Sequence, residues 1–129
     1  MKILTVKQPW ATLIAEGYKQ YEFRSWKTKY RGEIFIHAGK GIDKKYLEKL
    51  KDLNLTFPTS RILAKVTITD CIELNEEIGE KIYQKNPLIY GKHHDGYAWK
   101  LEQVKKVNID KEITGKLGLW NSDEEDIKV

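Results

Sequence analysis

The chain has 129 residues, of which 40% are hydrophobic and 33% charged, enough for one packed core with a charged coat and too apolar for a disordered polymer. A single cysteine, Cys71, excludes an internal disulfide, and no apolar run approaches the ~20 residues that a membrane-spanning helix needs. The net charge of +4 favours anionic partners without choosing among nucleic acid, nucleotide and acidic protein.

In chain order, residues 3–6 predict a short strand. Pro9 suits the first turn of a helix, where a missing N–H is harmless, and Trp10, Leu13 and Ile14 recur at helical spacing up to Gly17. Residues 19–25 alternate, with Tyr21 and Phe23 on one face and Glu22 and Arg24 on the other, a half-buried strand. A polar turn over 26–32 leads to a strand over 33–38, which Gly39 and Gly41 are expected to break. Tyr46, Leu47, Leu50 and Leu53 make an apolar helical stripe closed by Pro58.

The clearest strand covers 61–74, where Ile62, Ala64, Val66 and Ile68 alternate with polar residues. A short helical pattern runs over 75–85, a loop over 86–96, and a strand starts at Tyr97. Residues 115–121 read as a compact turn before an acidic end. The fold class expected is α+β: a small mixed β-barrel of five or six strands with peripheral helices, since closure removes exposed edges. One domain spans 1–121, and 122–129 form an acidic C-terminal tail.

Charge is unevenly spread. Residues 121–129 hold Asp123, Glu124, Glu125 and Asp126 against Lys128, a local −3 that leaves +7 elsewhere. Between 18 and 31 there are five basic residues, Lys19, Arg24, Lys27, Lys29 and Arg31, around one acid, Glu22. Arg24 offers a planar fork of donors that suits phosphate or a base edge, and Glu22, two residues away on the same strand face, accepts from an amine or a ribose hydroxyl. Trp10, Trp26 and Tyr30 offer flat surfaces for base stacking. The plainer account of the same residues is an ordinary structural ion pair and a tryptophan anchoring its helix, and both readings stand at this level.

Lys19 is the main acid–base candidate. Burial and Arg24 would lower its pKa while Glu22 would raise it, and a Lys19–Glu22 pair that shares a proton can activate water at a carbonyl or phosphodiester. The alternative is a solvated lysine at a strand start. His93 and His94 lack a third ligand at usable spacing, His37 reads as a satisfied structural group, and Cys71 beside Asp70 is poorly placed to be a thiolate. No metal and no cofactor is expected. The short apolar start, too brief for a secretory leader before Pro9, and the unpaired cysteine point to the cytoplasm with no membrane partner.

The run Gln8-Pro9-Trp10-Ala11, the spacing Gly17-x-Lys19-x-x-Glu22-x-Arg24-Ser25-Trp26, and Tyr30-Arg31-Gly32 resemble the ASCH (activating signal cointegrator homology) domain, a branch of the PUA-like superfamily. Similarity continues through 34–38, 62–72, Tyr97-Ala98-Trp99 and Gly118-Leu119-Trp120, nearly the whole chain. The resemblance implies a barrel with external helices and a cleft beside the signature strand. It implies RNA or nucleic-acid binding, RNA or a nucleotide or nucleoside as partner, and other proteins of RNA metabolism as further partners. Trp10, Lys19, Glu22, Arg24, Trp26, Lys29, Tyr30 and Arg31 would then form the binding surface. Some bacterial relatives are enzymes, of ribonuclease type or amidohydrolases that deacetylate acetylated cytidine. In the latter a lysine matches Lys19, but a threonine nucleophile stands where this chain has Glu22. An acyl-threonine route therefore does not carry over, and the alternative function is a small hydrolase acting on RNA or a modified nucleoside with Lys19 and Glu22 at the reacting centre.

Overall fold

Period-two alternation dominates the sequence, and a sheet dominates the structure. In a computed structural model that describes residues 1–122, the chain runs β1 (Lys2–Gln8), α1 (Trp10–Ala15), β2 (Tyr21–Arg24), β3 (Gly32–Ile42), α2 (Lys44–Lys49), a 3-10 turn (Lys51–Leu53), β4 (Arg61–Glu73), α3 (Glu76–Lys85), β5 (Tyr97–Lys106) and β6 (Leu119–Asn121). The six strands lie in the order β2-β5-β4-β3-β1-β6. The β1–β3 pair is parallel and the other pairs are antiparallel.

The alternation in β4 buries Ile62, Ala64, Val66 and Ile68 while its intervening residues stay half-buried. Val66 and Ile68 join Leu4, Val6, Ile34, Ile36 and Trp99 in the main core, which α1 covers with Ala11 and Ile14. A second cluster, built on Leu13, Tyr21, Leu50, Ile82, Ile89 and Tyr90, ties α2, α3 and the 86–96 segment to β2. Asp43 and Asn75 cap α2 and α3 by accepting from the backbone N–H groups of Tyr46 and Ile78, at 3.0 and 2.9 Å. Among the described residues no helix is long and apolar enough to cross a membrane.

The closed barrel expected from the sequence is corrected. β2 has four residues and pairs along one edge with β5, while β6 has three and covers β1 only at Lys2, Ile3 and Leu4. These strands are too short to join the two ends of the sheet, and from Thr5 onward the outer edge of β1 faces β2 across an opening. Arg24 spans it by donating from Nη2 to the Thr5 carbonyl at 2.9 Å.

Two further expectations are revised. β3 continues through Gly39 and Gly41 to Ile42. A β-carbon on Gly39 would lie 2.9 Å from Thr5 Cγ2, so glycine there admits the neighbouring strand rather than ending its own. The segment read as a compact turn contains β6, where Trp120 and Leu119 pair with Ile3 and Leu4. The acidic run from Asp123 lies outside the described residues.

Candidate functional site

The opening between β1 and β2 is a cleft of about 500 Å³. Two short-range features of the chain build it. After α1 the backbone reverses, with the N–H groups of both Tyr18 and Lys19 donating to the Leu13 carbonyl at 2.9 and 3.0 Å. That reversal turns Lys19 inward, leaving it 2% exposed at the start of β2. The two-residue period of β2 then sets Glu22 and Arg24 side by side.

These side chains form a row of cation, carboxylate and cation. Lys19 Nζ donates to the Tyr21 carbonyl at 2.5 Å and lies 3.8 Å from Glu22 Oε1. It also sits 4.5 Å from the Phe23 ring centre and 5.3 Å from that of Tyr90, both within cation–π range. Arg24 donates to Glu22 Oε2 from Nε at 3.2 Å and from Nη2 at 2.8 Å. Nε and Nη2 are thus engaged, which leaves the Nη1 end of the fork for a ligand. Glu22 Oε1, beyond hydrogen-bond distance of Lys19, keeps acceptor capacity.

Burial lowers the pKa of Lys19 from 10.5 to about 8; Glu22 opposes the shift, and Arg24 adds to it. An amine so placed is mostly protonated at neutrality yet able to give up its proton, which suits acid–base work as well as anion binding. The row carries two positive charges and one negative, and Lys7 from β1 adds another cation to the lining.

Aromatic groups make the walls. Trp10 packs on Tyr46 with ring centres 5.3 Å apart at 43°. Trp26, 37% exposed, stands edge-on to buried Trp99 at 4.6 Å and 89°, while Trp99 Nε1 donates to the Trp26 carbonyl at 3.3 Å. At the rim His93 stacks on Phe23 with centres 4.0 Å apart at 22°. Burial, with a smaller contribution from Lys19, holds the His93 pKa below its ordinary value.

Of the residues singled out in the sequence, Trp10, Lys19, Glu22, Arg24 and Trp26 come together in this cleft. Lys29, Tyr30 and Arg31 do not line it. The Tyr30 hydroxyl donates to the Glu33 carbonyl at 2.9 Å, and Lys2 lies 5.2 Å from its ring centre. Arg31 Nη1 donates to the carbonyls of Thr28 and Tyr30, each at 3.0 Å, and its Nη2 is 3.9 Å from Asp70. Lys29 is exposed.

Sequence reasoning missed Thr5, Tyr46 and His93 as walls. For His93 a signal exists in Gly79, where a β-carbon would sit 1.7 Å from the His93 carbonyl oxygen. Glycine in a helix interior costs stability, and here it lets the 86–96 segment lie directly on α3 and present His93 to the cleft. His37 is fully buried, with Nε2 2.6 Å from the Ile113 carbonyl and Nδ1 3.2 Å from the Thr5 hydroxyl, a structural placement. Among the described residues no group of His, Cys, Asp and Glu is arranged to hold a metal ion.

Comparison with known proteins agrees with this architecture. The chain is 26% identical to activating signal cointegrator 1 of Mus musculus over 133 aligned positions, covering 93% of this chain and 22% of that protein. It is 31% identical to activating signal cointegrator 1 of Homo sapiens over 83 positions, 54% of this chain and 14% of that one. The chain therefore spans less than a quarter of the length of these curated relatives. A crystal structure of ASCH from Zymomonas mobilis shares its fold, with a TM-score of 0.59 over 98% of this chain and 90% of that chain at 12% identity. The ASCH domain model matches residues 4–112, a span that takes in the cleft from Thr5 to His93, and the chain belongs to the ASCH domain family.

Proposed function

We propose that this ASCH domain binds RNA or a related nucleic acid by seating a nucleotide in the β1–β2 cleft. The observation that carries the reading is the Lys19–Glu22–Arg24 row in a cleft that Trp10 and Trp26 also line. Arg24 Nη1 offers donors to phosphate or a base edge, Glu22 Oε1 accepts from an exocyclic amine or ribose hydroxyl, and each stacked base contributes ~1–3 kcal/mol. The family is commonly linked to RNA binding, in keeping with the excess of basic charge. Lys29 and Arg31 flank the cleft segment in sequence and meet phosphates of a longer strand. The binding domain is residues 1–121, its setting the cytoplasm, and its further partners other proteins of RNA metabolism.

Binding of short single-stranded RNA across a series of salt concentrations tests this. With about three phosphates neutralised, log K falls against log salt with a slope near −2. A flat response, or no binding by folded protein, overturns the reading.

One observation supports a second reading. Lys19, its pKa brought to about 8 by burial, lies 3.8 Å from a carboxylate oxygen of Glu22, a pair able to pass a proton to and from water. Under this reading the domain hydrolyses RNA or an acylated nucleoside such as acetylated cytidine. Glu22→Gln keeps an acceptor for Arg24 and abolishes turnover while retaining binding; unchanged turnover removes Glu22 as the base.

A further inference from the structure

Behind the cleft, across β1, lies a second hollow of about 350 Å³. Thr5 belongs to the walls of both spaces. Its carbonyl holds Arg24 on the cleft side, while its hydroxyl accepts from Trp120 Nε1 at 3.0 Å and meets His37 on the side of the hollow. The two spaces adjoin at this one residue.

The chemistry of this hollow is one-sided. Lys40, Lys116, Ser60 and Thr114 line it, and among the described residues no carboxylate does. Both lysines are exposed, and among the described residues neither is in an ion pair; the Lys116 ammonium lies 5.6 Å from the Trp120 ring centre. The walls are fixed before any ligand arrives. The Ile113 N–H donates to the Ser60 carbonyl at 2.7 Å and the Ile113 carbonyl is 2.6 Å from His37 Nε2, pinning the segment that closes the hollow. A β-carbon on Gly115 would come 2.8 Å from Thr5 Oγ1, so only glycine lets that segment lie so near β1. Two ammonium groups and several hydroxyls, with no acid among the described lining residues, make a site for a tetrahedral oxyanion.

We propose that this hollow takes the phosphate attached to the nucleotide seated in the cleft, so that the ligand crosses β1 at Thr5 and is a nucleotide or oligonucleotide rather than a nucleoside. The inference rests on the nucleotide reading of the cleft, and the test separates the two. Calorimetric titration compares cytidine, uridine, adenosine and guanosine with their 3′- and 5′-monophosphates and with inorganic phosphate. The proteins compared are the unmodified chain, the Lys40→Ala, Lys116→Ala double variant, and a Lys85→Ala, Lys105→Ala variant that removes the same charge elsewhere.

The expected result is that a monophosphate of one polarity binds roughly tenfold tighter than its nucleoside. Lys40→Ala with Lys116→Ala abolishes that gain and leaves nucleoside affinity unchanged, while the Lys85 and Lys105 variant keeps the gain. Nucleoside binding with no phosphate gain overturns this proposal alone, as does a gain that survives in the first variant or disappears in the second. Inorganic phosphate that binds as tightly as the monophosphates makes the hollow an independent anion site and overturns the continuity across Thr5. No binding of any nucleoside or nucleotide by folded protein overturns the cleft reading and this proposal with it.

Discussion

Residues 19–26 and 27–31 are adjacent pieces of one basic segment and meet opposite fates. In the first, Lys19 is 2% exposed and its ammonium is enclosed by a carbonyl, a carboxylate and two rings, while Arg24 is held by Glu22 and the Thr5 carbonyl. In the second, Lys29 is exposed and Arg31 engages nearby carbonyls at the surface. Charge is denser in the second piece, which has Lys27, Lys29 and Arg31 within 27–31 against Lys19, Glu22 and Arg24 within 19–26, but a surface ion is screened by water and salt, whereas a buried one loses its hydration and depends on complete geometry. Local charge density therefore locates a basic segment, and burial decides which of its ions form a site.

The largest expected difference between the two pieces is in stability. Glu22→Ala leaves Lys19 and Arg24 without their counter-charge and costs about 3 kcal/mol, the scale for removing one partner of a buried pair. Lys29→Ala and Arg31→Ala stay within about 0.5 kcal/mol. Urea unfolding of the three variants is the check, and a Glu22→Ala cost no larger than the others would make the buried row as solvated as the surface piece.

A somewhat smaller effect follows from the titration of Lys19. Its native pKa of about 8 lies below the 10.5 of an exposed lysine, so between those values the unfolded chain binds more protons than the native one. Stability from this group is thus fully present above pH 10.5, and is lost as pH falls toward 8. Subtracting the unfolding free energies of a Lys19→Met variant from those of the unmodified chain isolates it. The difference should move in favour of the unmodified chain by about 2 kcal/mol between pH 8 and 10. The same comparison with Lys29→Met should be flat, and a flat line for Lys19 as well would mean that its ammonium keeps its water.

What was legible in the sequence was local. The i, i+2 placement of Glu22 beside Arg24 and the buried alternation of Ile62, Ala64, Val66 and Ile68 both follow from the period of a strand, which needs no knowledge of the rest of the chain. The burial of Lys19 was not legible, because it depends on two N–H groups converging on the Leu13 carbonyl. His93 was not, because it reaches Phe23 from a segment 70 residues further on, held by a close approach at Gly79. The open sheet is not legible for a related reason: closure depends on the lengths of β2 and β6, and the short β6 has the local pattern of a turn. Gly39 has the local signature of a strand breaker, because the partner that requires it, Thr5, lies far away in sequence. Local periodicity set the row on its strand, and long-range contacts turned the row into a cleft.

The smallest expected effect is the one that sharpens the contrast most. If Lys29 meets a phosphate of a strand that extends beyond the cleft, Lys29→Ala should lower the salt slope of RNA binding by about 0.7, the contribution of one neutralised phosphate on a single strand. Because Lys29 does not line the cleft, the same variant should leave affinity for a mononucleotide unchanged. Arg24→Lys should do the reverse. It removes a two-point contact to Glu22 and the link to Thr5, and weakens the mononucleotide about tenfold, yet it keeps the charge and so moves the salt slope little. Measuring both ligands with both variants separates an ion that positions the nucleotide from one that only attracts the strand. If Lys29→Ala weakens the mononucleotide as much as Arg24→Lys does, the boundary of the site lies beyond Trp26, and the two pieces of the segment act as one.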